Sequence, residues 1–182
     1  MQTNHGIALS ADGKTLFTSN LASVTAYPYD AAAGTVGTGR VIVTGMSNTG
    51  THPTRAIAVS KVNPDTIMVA RGSNGNIDTA TTEQSSGRSM IKTFSISGSN
   101  QQYTTGGEVL GWGLRNIVGL TEDPFGGVVR FSLLRPLLLL HTTTNTPVFS
   151  SGQSRTQWTT YVSMDATCTT RTRPRSSTTM AT

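Results

Sequence analysis

The chain has 182 residues, 35% hydrophobic and 13% charged, a balance that excludes a plainly disordered chain and gives no stretch apolar enough for a membrane span. Its net charge of +5 would ordinarily direct attention to nucleic acid or an anionic surface, but the excess lies at one end: eight basic residues offset eight acidic ones over 1–128, whereas six arginines face only Asp165 over 129–182. Eighteen of the nineteen glycines also precede residue 129, while the last 54 residues hold fourteen threonines and the single cysteine, Cys168, which cannot form an internal disulfide.

The first residues are polar and carry no apolar segment of the kind a signal peptide needs. From there to residue 128, Gly, Ser, Thr and Asn dominate and helix-favouring runs are missing, so short strands and turns are expected. Ile7-Ala8-Leu9 predicts a strand, Ser10-Ala11-Asp12-Gly13-Lys14 a turn, residues 15–19 the returning strand and residues 24–27 a third. The same order recurs: a strand over 56–59, a turn over 60–65, a strand over 66–70 and another over 90–96. A third copy starts at Ile117-Val118-Gly119-Leu120, turns through Asp123-Pro124-Phe125-Gly126-Gly127 and stops at Val128. Repetition at roughly 50–60 residues is close to the size of a propeller blade, so the expected class is all-β, an incomplete β-propeller. A two-sheet β-sandwich is the alternative. Residues 129–182 are expected to be a disordered tail, because the Leu-rich run ending at Leu140 is short, broken by Arg135 and Pro136, and followed by few large apolar residues.

Polar segments precede each repeat: Asn4-His5-Gly6, Thr51-His52-Pro53-Thr54-Arg55 and Gly113-Leu114-Arg115-Asn116. Innermost strands of a propeller line its axis, so residues at their starts converge on one pocket. His52 is a candidate general base, since an imidazole titrates near 6.5; Arg115 and Asn116 are candidates to hold a carboxylate and a carbonyl. The plain alternative is that all three serve turns and loop carbonyls. Gly72-Ser73-Asn74-Gly75-Asn76 reads as a loop joining strands rather than an anion nest, because no helix pattern follows. Asp12-Gly13-Lys14 reads as a hairpin turn rather than a calcium loop. No zinc spacing, nucleophile elbow or phosphate loop is present.

The stretches HGIALSADGKTLFTSN, THPTRAIAVSKVNPDTIMVARGSNGNID and GWGLRNIVGLTEDPFGGV resemble the fungal pyrroloquinoline-quinone-dependent pyranose dehydrogenases and the soluble quinoprotein glucose–sorbosone dehydrogenases, over residues 4–128. GLRN followed by an apolar strand and D-P-x-G carries most of the specificity. The resemblance implies a fragment, about two and a half blades, of a six-bladed β-propeller whose axial channel holds pyrroloquinoline quinone (PQQ) with calcium. It implies oxidation of a sugar at its anomeric carbon, with hydride transfer to PQQ and a histidine as base. By resemblance His52 is that base, and Arg115 and Asn116 contact the quinone; Arg55 and Arg71 match recurrent positions with structural roles, and His5 receives none. The implied partners are a sugar and an electron acceptor, a cytochrome domain or a dye, with neither nucleic acid nor membrane, and the full-length parent is expected to be extracellular. No metal ligand is assigned, because the calcium turn of the family is expected beyond Val128; the truncated chain is expected to be inactive. A non-enzymatic propeller or sandwich used for binding is the competing function.

Past Val128 the family continues with a strand resembling WSVEN and an acidic stretch, where this chain reads VRFSLLRPLLLLHTTT. Codons can be chosen so that Val129-Arg130 opens with an intron-like GT, Ser151 closes it with AG, and a shifted frame thereafter reads WSVENSV. Residues 129–150 are therefore expected to translate a retained intron, and residues 151–182 the next exon out of frame. The alternative is an evolved basic tail binding nucleic acid.

Overall fold

A computed structural model of the chain describes residues 5–47, 50–124, 126–133, 138–143 and 159–163. The first of three sheets contains β1 (Ile7–Leu9), β2 (Thr15–Ser19), β3 (Val24–Asp30), the two-residue β4 (Thr35–Val36) on the end of β3, and β5 (Arg40–Thr44). The second contains β6 (Ile57–Val59), β7 (Thr66–Arg71), β8 (Met90–Ser95) and, beyond β9 (Gln101–Gln102), β10 (Glu108–Trp112). The third contains β11 (Ile117–Glu122), β12 (Val128–Leu133), β13 (Leu138–Thr143) and β14 (Thr159–Ser163). Each is an antiparallel meander in chain order. β9 is the exception: it leaves the second sheet and pairs in parallel with β5 of the first, Val43 opposite Gln101 and Thr44 opposite Gln102.

Turn chemistry sets the first hairpin. The Asp12 carboxylate accepts from Ser10 Oγ at 2.6 Å and from the Lys14 N–H at 3.1 Å, while Gly13 takes φ +69°, a conformation that costs glycine little. Ile7 then pairs with Thr18, and Leu9 with Leu16. In the third sheet, the Asp123 N–H donates to the Gly127 carbonyl at 2.8 Å, the Asp123 carbonyl accepts the Gly126 N–H at 3.2 Å, and the Asp123 carboxylate caps the Gly127 N–H at 2.8 Å, which turns β11 into β12.

Alternation along β7 decides how the sheets stack. Ile67 and Val69 enter a cluster with Phe17, Val24, Ile42 and Met46 of the first sheet and its following loop. Met68 and Ala70 point the other way, into a cluster with Ile91, Leu114, Ile117 and Val128. Successive side chains of a strand face opposite sides, so four buried residues in a row require a layer on each side. The second sheet is thus the middle of three, and β1, β6 and β11, the first strands of each, lie beside one another. Three layers of this kind are not a two-sheet sandwich, and no ring of sheets closes among the described residues.

Two expectations change. The repeats hold four strands where three are read from the sequence, because Arg40-Val41-Ile42-Val43-Thr44 and Glu108-Val109-Leu110-Gly111-Trp112 each add an outer strand. Strands also continue past residue 128, where disorder is expected: Val128 pairs with Thr143, and Leu140 with Val162. Val129, Phe131 and Leu133 alternate with Arg130 and Ser132, and β14 is rich in β-branched residues, so local strand propensity is present although the overall composition of the tail is poor in apolar residues. The remainder of the tail, 134–137, 144–158 and 164–182, lies outside the described residues.

Candidate functional site

Antiparallel pairing of Ile57 with Val69 brings the end of β7 beside the residues that precede β6, and β11 starts alongside. His52, Ser73 and the Arg115-Asn116 pair meet there. The Ser73 N–H donates to the Arg115 carbonyl at 2.6 Å, and His52 Nδ1 lies 3.0 Å from Ser73 Oγ and 3.2 Å from the Ser73 carbonyl oxygen. Thr54 Oγ1 donates to Asn116 Oδ1 at 2.7 Å, which binds the His52 segment to the start of β11. Gly72 makes this possible, since a Cβ there would lie 2.8 Å from the Arg115 carbonyl oxygen and 3.0 Å from Asn116 Oδ1.

His52 and Asn116 are buried, and Arg115 is partly exposed. The Arg115 guanidinium donates from Nη2 to Asn76 Oδ1 at the rim of a cleft of about 150 Å³ lined by Ser73, Asn76, Asp78, Ser89, Gly113 and Arg115. Ser89 holds φ +56°, a strained value for a non-glycine residue, and its carbonyl accepts the Leu114 N–H at 2.8 Å. Below the rim, Asp78 pairs with Arg88 at 2.8 Å and accepts the Asn74 N–H at 2.7 Å. Burial pushes the Asp78 carboxyl up, but the Asn74 N–H and the Arg88 guanidinium outweigh it and hold the group below the usual carboxylate range.

Two buried arginines stand behind the cleft. Arg55, fully buried, donates to the carbonyls of Thr54 at 2.7 Å, Met46 at 2.8 Å and His52 at 3.4 Å. Arg71 reaches the carbonyls of Ser47, Ser86 and Gly87, each at 3.3 Å. Among the described residues neither Nε atom has a partner. Burial, with the neighbouring Arg71 charge, pushes Arg55 down to about 10, and burial lowers Arg71 as well. Both tie down the loop that carries His52.

The structure therefore brings His52, Arg115 and Asn116 to one place and leaves the exposed His5 outside it. Sequence reading passed over Ser73 and Asn76 as loop residues; the usable signal was the polar Gly72–Asn76 stretch directly after a strand that ends beside the His52 segment. Among the described residues no three His, Cys, Asp or Glu side chains gather around a metal-sized space. The polar groups lining the cleft, the Arg115 guanidinium with the Ser73 hydroxyl and the exposed Asn76 amide, are of the kind that suits one edge of a planar, carboxylate-bearing ring such as PQQ.

A family described as TrAA12-like matches residues 1–132. A pyrroloquinoline quinone-dependent sugar dehydrogenase of Hypocrea jecorina (strain QM6a) is 39% identical over 130 residues, 68% of this chain and 30% of that protein. The holo form of the pyranose dehydrogenase PQQ domain from Coprinopsis cinerea superposes with a TM-score of 0.72 at 31% identity, covering 78% of this chain and 40% of that one. A calcium structure of Trichoderma reesei Carbohydrate-Active Enzymes Family AA12 gives 0.70 at 33% identity over 77% of this chain and 40% of that one. The chain spans under a third of the curated relative and well under half of each solved domain.

Proposed function

The chain belongs to the TrAA12-like family, and from that premise we propose that it is part of a PQQ-dependent dehydrogenase that oxidises a sugar at its anomeric carbon and passes the electrons to an external acceptor. The observation that carries this reading is the junction of His52, Ser73, Arg115 and Asn116 at the starts of β6 and β11. When bound, the quinone supplies a two-electron, hydride-accepting ring. Arg115 pairs with a carboxylate or offsets charge on that ring, and the Asn116 amide, steadied by Thr54, offers its NH2 to a carbonyl. His52 takes the proton of the sugar hydroxyl. Calcium, the remaining quinone contacts and three further blades belong to chain beyond these sheets, so the ring is six-bladed only in the full-length protein, an extracellular enzyme.

The test uses this chain extended at both ends by its coding sequence, with PQQ and calcium added and quinone absorbance followed. Saturable binding is expected, and His52→Ala should lower sugar-dependent dye reduction about a thousandfold. Absence of quinone binding, or a rate untouched by His52→Ala, overturns the reading. The chain of 182 residues should itself reduce no dye. A second reading, a non-enzymatic binding module, draws on the bond between Arg115 and Asn76, which is what a loop-supporting arginine would make; it requires the extended chain to ignore PQQ. Residues 129–150 are read as the translation of a retained intron and residues 151–182 as the next exon in a shifted frame. Sequencing the spliced transcript across the codon for Val128 tests this, and a mature message that retains the present frame in quantity refutes it.

A further inference from the structure

Ser73 is joined to several parts of the site. Its N–H donates to the Arg115 carbonyl, its hydroxyl donates to the Gly75 carbonyl at 2.8 Å, and both of its oxygens lie within hydrogen-bond distance of His52 Nδ1. A hydroxyl has one hydrogen. With that hydrogen directed to Gly75, Ser73 Oγ accepts from His52. The Ser73 carbonyl oxygen can only accept, so both contacts at Nδ1 are satisfied together when Nδ1 carries the proton of the neutral ring.

Resting on the reading of His52 as the base, we infer that Ser73 is the positioning residue that fixes the neutral imidazole as its Nδ1–H tautomer, so that Nε2 holds the lone pair that takes the sugar proton. A serine suits this differently from a carboxylate. It directs the ring and selects its tautomer without adding a negative charge behind it. The same residue fixes the Arg115 backbone, so the proton acceptor and the anchoring cation share one support. Gly72, immediately before it, allows the close approach that this support needs.

The experiment is a long-range proton–nitrogen NMR spectrum of the nitrogen-15-labelled full chain at pH 8, with the His52 imidazole identified by its disappearance in His52→Gln. The expected result is a protonated Nδ1 and a bare Nε2. Ser73→Ala should shift the ratio about fivefold toward the Nε2–H form, the effect of one lost hydrogen bond, and Ser73→Thr should restore the original ratio by returning a hydroxyl. An Nε2–H tautomer in the unsubstituted chain overturns the inference. So does the spectrum of an unstructured chain, whose free imidazoles favour Nε2–H, and so does a tautomer indifferent to both Ser73 variants. The outcome does not depend on quinone: the Nδ1–H form in a protein that fails to bind PQQ would uphold the tautomer and sink the dehydrogenase, whereas the Nε2–H form in an active extended enzyme would do the reverse.

Discussion

Arg55 is costly both to hold and to lose. It is fully buried with, among the described residues, no carboxylate in contact and no partner for its Nε, and Arg71 stands near enough to lower its proton affinity. What it gains is three carbonyls, one of them that of His52. Arg55→Met keeps the approximate bulk and removes every donor. It should lower stability by about 3 kcal/mol, read as a fall in the urea midpoint at unchanged slope, and an unchanged midpoint would mean that relief of the buried charge offsets the three lost bonds. At this scale the sequence was informative about identity and silent about connection. His52, Arg115 and Asn116 stood out because polar groups preceded strands, yet the atom that unites them belongs to Ser73, in a loop whose composition resembles any other Gly/Asn loop. Loop composition reveals a turn but not what the turn lies against.

The β8–β10 connection shows the same limit at the level of elements. Tyr103, which follows β9, is fully buried between the first two sheets, its hydroxyl donating to the Met90 carbonyl at 3.0 Å, and its ring packs on Phe94 at 5.7 Å between centroids. Lys92 holds the same turn by donating to the carbonyls of Tyr103 at 2.8 Å, Thr104 at 3.2 Å and Gly106 at 2.9 Å. Burial pushes the Tyr103 phenol well up despite the opposing charges of Arg71 and Arg55. An unfolded tyrosine ionises near 10, so the unfolded state loses this proton first. The stability tied to Tyr103 is therefore complete below about pH 10 and is lost as pH rises toward the higher folded value. Thermal melts should fall more steeply above pH 10 for the unsubstituted chain than for Tyr103→Phe; parallel curves would show that the phenol does not govern the alkaline limb. None of this was legible beforehand. Predicted strands over 7–9, 15–19 and 66–70 matched their observed positions because period-two patterning and Asp/Gly turns mark them. β9 has two glutamines and no pattern, and it exists only because β5 offers it an edge.

In the whole molecule, the middle sheet is covered on both sides and the first is covered on one. Its other face presents Ile7 at 69% and Leu9 at 48% exposure, with the partly buried Leu16 in register with Leu9 and Tyr27 in register with Leu16. Apolar surface of this kind associates when left without a partner. Light scattering should report concentration-dependent growth in mass, and the pair Ile7→Lys with Leu9→Lys should suppress it; equal growth in both would place the sticky surface elsewhere. Repetition made blade-sized units legible in the sequence, since three similar segments imply similar sheets. It could not give the fourth strands or the continuation past residue 128, where pairing partners rather than composition decide.

The parallel seam between β5 and β9 joins two layers that side chains alone would otherwise connect. Main-chain bonds from Asn100 to Val41 at 3.1 Å and from Tyr103 to Thr44 at 2.8 Å cross it, and Gln101 Nε2 adds a third to the Ile42 carbonyl at 3.2 Å. Pulled apart by its ends, the chain cannot peel the first layer from the second by sliding greasy surfaces alone; the seam must rupture first. The two layers should then give way together under load, as one mechanical event.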